Sequence, residues 1–237
     1  MTSAAYRQSS RVTPSLVRRD PENRLLARGP RRRLSADMIR DQALAASGLL
    51  VERLGGPSVR PYQPAGLIKD LGGADEYVQD HGEGLYRRSL YTFWKRTVAP
   101  PQMVAFDAGG RETCVVRETR TNTPLQALTL LNDVTFLEAA RVLAQRAMRE
   151  AAAGPEAKIT HAFRRVLARR PSPAEVLVLV NGYRAHLAEY RANPEAAKQL
   201  LAAGESPPDE TLDAGEHAAL TAVCSLLLNL DEAITRE

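Results

Sequence analysis

The stretch Arg120-Thr-Asn-Thr-Pro-Leu-Gln-Ala-Leu-Thr-Leu-Leu-Asn-Asp133 sets four leucines between two clusters of hydrogen-bonding residues. Thr123 before Pro124 reads as a helix cap followed by a first-turn proline. The threonine oxygen accepts from backbone N–H groups that have no intrahelical partner, and proline has no N–H to lose there. Leu125, Leu128 and Leu131, with Thr129, then predict one buried helical face. Asn132-Asp133 offers a second cap, for a helix over Val134 to Glu150 whose Phe136, Ala139, Ala140, Leu143 and Ala147 are apolar. Both polar clusters thus read as helix punctuation. Asn122 and Gln126 are left over, a polar pair expected to tie a loop down beside the leucine face. Arg120, Asn122, Thr123, Pro124, Gln126, Asn132 and Asp133 together make a structural motif.

Downstream the helical pattern continues. Ile159, Ala162, Phe163, Val166 and Leu167 form an apolar stripe that Arg169-Arg170-Pro171 closes with cations at the negative helix end. Ser172-Pro-Ala-Glu175 is a capping box, Asn193-Pro194 starts another helix, and Gly204 to Asp209 reads as an exposed loop. Asp213 caps a strongly apolar helix through Leu230, with Leu220, Val223, Cys224, Leu227 and Leu228 expected in the core. Upstream, Asp20-Pro21-Glu22 predicts a short helix ending near Gly29-Pro30. Ser35 caps a longer one from Ala36 to Leu54, stopped by Gly55-Gly56-Pro57. The expected fold class is mainly α, an irregular multi-helix domain with long loops and at most a short β-ribbon. Residues 1–237 read as a single helical domain: a basic helical segment (1–54), a loop-rich aromatic segment (55–119) and a helical bundle (120–237).

The middle segment is where binding or chemistry would be sought. Gly55 to Gly84 is rich in proline and glycine, and long loops are uncommon in compact domains unless they do something. It carries Asp75, Glu76, Asp80, His81 and Glu83. Asp75, Asp80, His81 and Glu83 are weak candidates for a divalent metal, but their spacing matches no calcium loop, and a solvated acidic loop facing the basic N-terminal segment is favoured. His81 has no visible nucleophile to serve as base. Next, Tyr86-Arg-Arg-Ser-Leu-Tyr-Thr-Phe-Trp-Lys-Arg96 concentrates β-prone and aromatic residues in a chain with 5% aromatics, and reads as a strand or a short helix. Read as a core anchor, it places Leu90, Phe93 and Trp94 on one helical face and the arginines on the other. Read as a binding surface, it offers Tyr86, Arg87, Arg88 and Trp94 for stacking. Asp107-Ala-Gly-Gly-Arg111 is a turn, and Thr113-Cys-Val-Val116 a short extended piece.

Composition narrows the function classes. The chain has 237 residues and a formal charge of +4, of which the first forty residues carry +7 and the remainder −3. Arg31, Arg32 and Arg33 fit pairing with carboxylates elsewhere as well as any phosphate surface, and no nucleic-acid reading motif is present. No run of about 18 apolar residues spans a bilayer, and the N-terminal stretch has no apolar core of a secretory signal. Cys114 and Cys224 form no CxxC, CxxCH or zinc pattern, so no cofactor is implied; one disulfide between them is geometrically open. His161, His186 and His217 sit on separate helices and read as surface or boundary residues.

Several stretches in order carry a resemblance. Arg120 through Leu128, Leu131-Asn-Asp133 and Glu138-Ala-Ala-Arg141 look like the signature of a planctomycete domain of unknown function, number 1553. Tyr6-Arg-Gln-Ser-Ser10, Asn23 to Pro30, Met38 to Ala43, Gly56 to Pro64, Leu85 to Arg96 and Leu228-Asn-Leu-Asp-Glu232 resemble it too. The resemblance implies the C-terminal part of a large envelope-associated or secreted protein, often preceded by domain of unknown function 1549 and sometimes by a cytochrome-c-type domain. It therefore implies an extracytoplasmic location and an upstream or separate partner, and this chain resembles a C-terminal fragment. No catalytic residues are established for the family. Two functional expectations follow: a non-catalytic helical interaction module, or an envelope enzyme domain acting on polysaccharide or coupled to a haem domain. The second requires a pocket where His81 or paired carboxylates converge with Trp94 or Tyr86.

Overall fold

A computed structural model describes residues 2–4, 6–64, 66–67, 77–95, 98–112, 114, 116 and 120–236. Asp75, Glu76 and Arg96 lie outside them, as do Thr113 and Val115 of the expected extended piece. Among the described residues there are ten helices and one two-stranded antiparallel ribbon. In chain order these are α1 (Pro14–Arg19), β1 (Arg32–Arg33), α2 (Ala36–Ser47), α3 (Pro101–Ala105), α4 (Pro124–Asn132), α5 (Val134–Glu150), α6 (Pro155–Leu167), α7 (Pro173–Ala192), α8 (Pro194–Leu201), α9 (Ala214–Leu228), α10 (Asp231–Ile234) and β2 (Thr235–Arg236).

The caps read from sequence carry most helix starts. Ser35, Asp133, Asn193 and Asp213 each accept a backbone N–H of the first turn of α2, α5, α8 and α9. Ser172 and Glu175 close a reciprocal capping box on α7. α9 is the axis of the core. It is apolar on all sides and packs against α5, α6, α7 and α8, as an all-round hydrophobic helix must. Leu220, Val223, Cys224, Leu227 and Leu228 are buried on it as expected, and Phe136, Ala139, Ala140, Leu143 and Ala147 of α5 meet them in one cluster. α2 lies across α5.

Several expectations are corrected. α2 ends at Ser47, where Gly48 takes a left-handed φ of 87°. That backbone conformation strains any residue with a Cβ, so glycine suits the true stop, and Leu54 is left in solvent. No helix starts at Asp20. α1 precedes it, capped by Thr13, and Asp20 uses its carboxylate to accept from the N–H groups of Arg24 and Leu25 at 2.7 Å each. The oxygen chemistry of a cap is present, but it closes a turn, with Asn23 and Leu26 at positive φ.

Among its described residues the aromatic segment forms neither a strand nor an α-helix. It runs as two 3₁₀ turns, Gly82–Tyr86 and Ser89–Tyr91. The expected face is kept only in part: Trp94 packs on the core, but Leu90 is 72% exposed and Arg87 1%. Arg87 donates to the carbonyls of Arg53, Gly55 and Pro57 and stacks over Tyr91 at 3.8 Å, so a buried arginine, not a leucine, anchors the preceding loop.

Candidate functional site

The segment from Arg120 to Asp133 sits on a polar knot that reaches across the chain. Asp107 is its centre, held at φ 57° in the turn after α3. Its carboxylate accepts from the Thr121 N–H at 2.8 Å, the Thr121 hydroxyl at 2.8 and 3.0 Å, Gln126 Nε2 at 3.3 Å and Arg33 Nη2 at 2.6 Å. Burial alone would raise the Asp107 pKa, but the Thr121 donors and the Arg33 guanidinium outweigh it and hold the carboxyl below its usual range. Arg33, itself buried, also donates to the carbonyls of Thr121 (2.7 Å), Leu34 (3.1 Å) and Phe106 (3.0 Å). Arg120 donates to the Arg33 carbonyl at 2.6 Å.

This knot decides how α4 is rolled. Gln126 is 1% exposed, whereas Leu125 is 63%, Leu128 55% and Leu131 39% exposed. The leucine face expected in the core therefore points outward, and only Leu130 turns in. Thr123 is the N-cap in a capping-box arrangement whose bonded half is Gln126 Oε1, accepting the Thr123 N–H at 3.2 Å. Asn132 returns its amide to the Leu128 carbonyl, and Asp133 also accepts from Gln102 at 3.0 Å. The pair left over in the sequence separates: Gln126 ties the loop down, while Asn122 is exposed.

Asn122 faces a cleft of roughly 1270 Å³ bordered by Arg31, Arg32, Arg33, Arg120, Asp231 and Thr235 as well. Arg31 pairs with Asp231, and Thr235 donates to the same aspartate at 3.2 Å. The expectation that the arginine triplet meets distant carboxylates holds for Arg31 and Arg33. Arg32 engages no carboxylate among the described residues.

A second polar node is buried. Glu138 and Arg141, three residues apart on α5, are both 0% exposed. Glu138 Oε1 accepts from the Tyr86 hydroxyl at 2.8 Å and the Ser206 N–H at 2.7 Å. Arg141 donates to the Ala203 carbonyl at 3.2 Å and to Ser206. Burial lowers the Arg141 pKa and lifts that of Tyr86 to about 12, the latter helped by Glu138. Gly204, at φ 83°, sits where any Cβ would collide with the Glu138 carboxylate. The loop read as exposed is thus pinned from below. His217 is likewise buried, at 1% exposure, against the Arg141 carbonyl, and is not a boundary residue.

The remaining candidates disperse. Asp80 accepts from the Arg60 N–H, His81 meets Glu205 at 2.7 Å and Glu83 pairs with Arg53. Among the described residues no group of three or more metal-ligating side chains forms. Tyr86 is taken by Glu138, Arg87 by the 53–57 loop, Arg88 lies 3.8 Å from Glu52, and Trp94 packs on the core beneath Arg111 at 4.5 Å. Cys114 and Cys224 are free, one exposed and one buried. Sequence reading missed Asp107 as a hub because its partners are 14 to 74 positions away. A signal existed for Glu138 and Arg141: opposite charges three apart, interrupting an apolar helix.

Fold and site together define a mainly helical domain clasped by a short ribbon, with an arginine-lined cleft beside its central motif. A family model described as a protein of unknown function, DUF1553 (PSD1), matches residues 1–183, and the chain belongs to that family. No curated protein and no solved structure matches it. Leu228 to Glu232 falls beyond the matched span. No helix among the described residues is long and apolar enough to cross a membrane.

Proposed function

We propose that this chain is a non-catalytic helical interaction module of a larger, extracytoplasmic, envelope-associated planctomycete protein. The observation that carries this reading is the outward leucine face of α4. Leu125, Leu128 and Leu131 recur at three-residue steps on one side of the helix, and Val134, 41% exposed, follows directly. Surface hydrophobes scattered singly are ordinary, but an aligned set on one helix marks a contact surface. Covering them is worth on the order of 1 kcal/mol or more per leucine. The partner in this reading is an upstream domain, in the same polypeptide or separate. The enzyme reading needs a pocket where His81 or paired carboxylates converge with Trp94 or Tyr86; among the described residues His81 is paired with Glu205, the Tyr86 hydroxyl is bonded to Glu138, and Trp94 lies under Arg111.

The test is co-elution. The domain encoded upstream, expressed separately, should co-elute with this chain and raise its melting temperature, as mass action requires of a ligand of the folded state. Leu125→Ser with Leu128→Ser should abolish both effects while leaving the circular dichroism spectrum unchanged. A monodisperse chain indifferent to that domain sinks the reading.

A further inference from the structure

The geometry points to an oxyanion-binding site in the arginine-lined cleft, for a ligand bearing phosphate or carboxylate, centred on Arg32 and rimmed by Arg120 and Asn122. The first observation is charge placement. Arg31, Arg32, Arg33 and Arg120 border the cleft, with Asp231 at its wall and Asp107 beneath Arg33. Arg33 is consumed by the fold, its donors all directed at Thr121, Leu34, Phe106 and Asp107. Arg31 is matched by Asp231. Arg32 is exposed and borders the open volume with no such match.

The second observation is independent and comes from the ribbon. The β1–β2 register sets Arg32 directly opposite Arg236, on the same outward face. Like charges in directly opposed positions destabilise a strand pair. Arg236 is drawn aside over the Tyr6 ring at 4.9 Å, which leaves Arg32 as the cation turned to the cleft. A two-residue ribbon has little stability to spare for such repulsion, and an anion seated at Arg32 relieves it. Guanidinium is the group suited to this, since its planar fork takes both oxygens of a carboxylate or phosphate. Asn122 adds an amide donor at the rim, on backbone fixed by the Asp107 knot one residue before it.

The site does not depend on the α4 leucine face, so the two proposals fail separately. The test uses the chain itself in a low-salt chloride buffer, titrated calorimetrically with inorganic phosphate and, separately, with citrate. Saturable binding is expected for at least one, and their ratio distinguishes a phosphate from a carboxylate ligand. Arg32→Gln should weaken binding by about tenfold or more. Asn122→Asp, which places a negative charge on the rim without touching the knot, should weaken it as well. Arg184→Gln, on the exposed face of α7, should have no effect. Without added anion, Arg32→Gln should melt no lower than the parent; with saturating anion the parent should melt higher. Binding that does not saturate, or that Arg184→Gln weakens as much as Arg32→Gln, overturns the proposal. A melting loss for Arg32→Gln that is equal in both buffers also overturns it, because the residue would then be structural.

Discussion

His217 lies on the most buried helix of the molecule, with Nε2 3.1 Å from the Arg141 carbonyl oxygen. The neutral ring fits this place: Nε2–H donates to the carbonyl, whereas an imidazolium would be desolvated beside a buried guanidinium. Burial accordingly lowers the His217 pKa from its ordinary 6.5, only partly opposed by the bond to Arg141. The sign follows from proton uptake. Below pH 6.5 the unfolded chain binds a proton that the folded chain resists, so stability is fully present above that pH and is lost as pH falls toward the folded pKa. Chemical denaturation midpoints between about pH 7 and pH 5 should therefore decline in the parent. His217→Gln keeps an amide donor for the carbonyl and should flatten that decline; an unchanged slope would assign it to other groups. Gly204→Ala tests the neighbouring node. Its Cβ would meet the Glu138 carboxylate at a left-handed φ, so a loss of more than about 1 kcal/mol is expected in the same denaturation assay.

At the level of single elements, α4 separates what neighbours in sequence decide from what distant residues decide. Its start at Pro124 and its stop before Asp133 depend on residues within one turn, and both were legible. So were the caps Ser35, Ser172, Asn193 and Asp213, because a side-chain oxygen meeting a free N–H is local chemistry. The roll of the helix was not legible. Leucines occupy more than one side of it, and the buried side is chosen by Asp107 and Arg33, far away in the chain. Gln126 wins the interior because it is the side chain that can reach both the Thr123 N–H and the Asp107 carboxylate. Gln126→Ala should consequently cost about 1.5 to 3 kcal/mol, the range for a buried bond to a charged group. Thr123→Ala should cost about 1 kcal/mol or less. Urea midpoints for the pair give the order directly, and the reverse order would return the capping role to the threonine hydroxyl. The same limit explains the aromatic segment, whose residues repeat with an α-helical period that a 3₁₀ turn does not share.

Across the whole molecule, helical composition and the core faces of α5, α6 and α9 were legible because long apolar periods report burial wherever their partners lie. The clasp between β1 and β2, two residues on each side, has no period to read. Arg31 and Asp231 reinforce it from 200 positions apart, and the Leu34 N–H reaches the Ile234 carbonyl at 2.7 Å beside it. The clasp also fixes an order of events during synthesis. A ribosome releases the arginine-rich strand about two hundred residues before the strand that closes on it, and no other strand among the described residues substitutes. Until then the Leu34 N–H lacks its Ile234 acceptor, so slow hydrogen exchange at Leu34 reports that translation has reached the far end of the helical core.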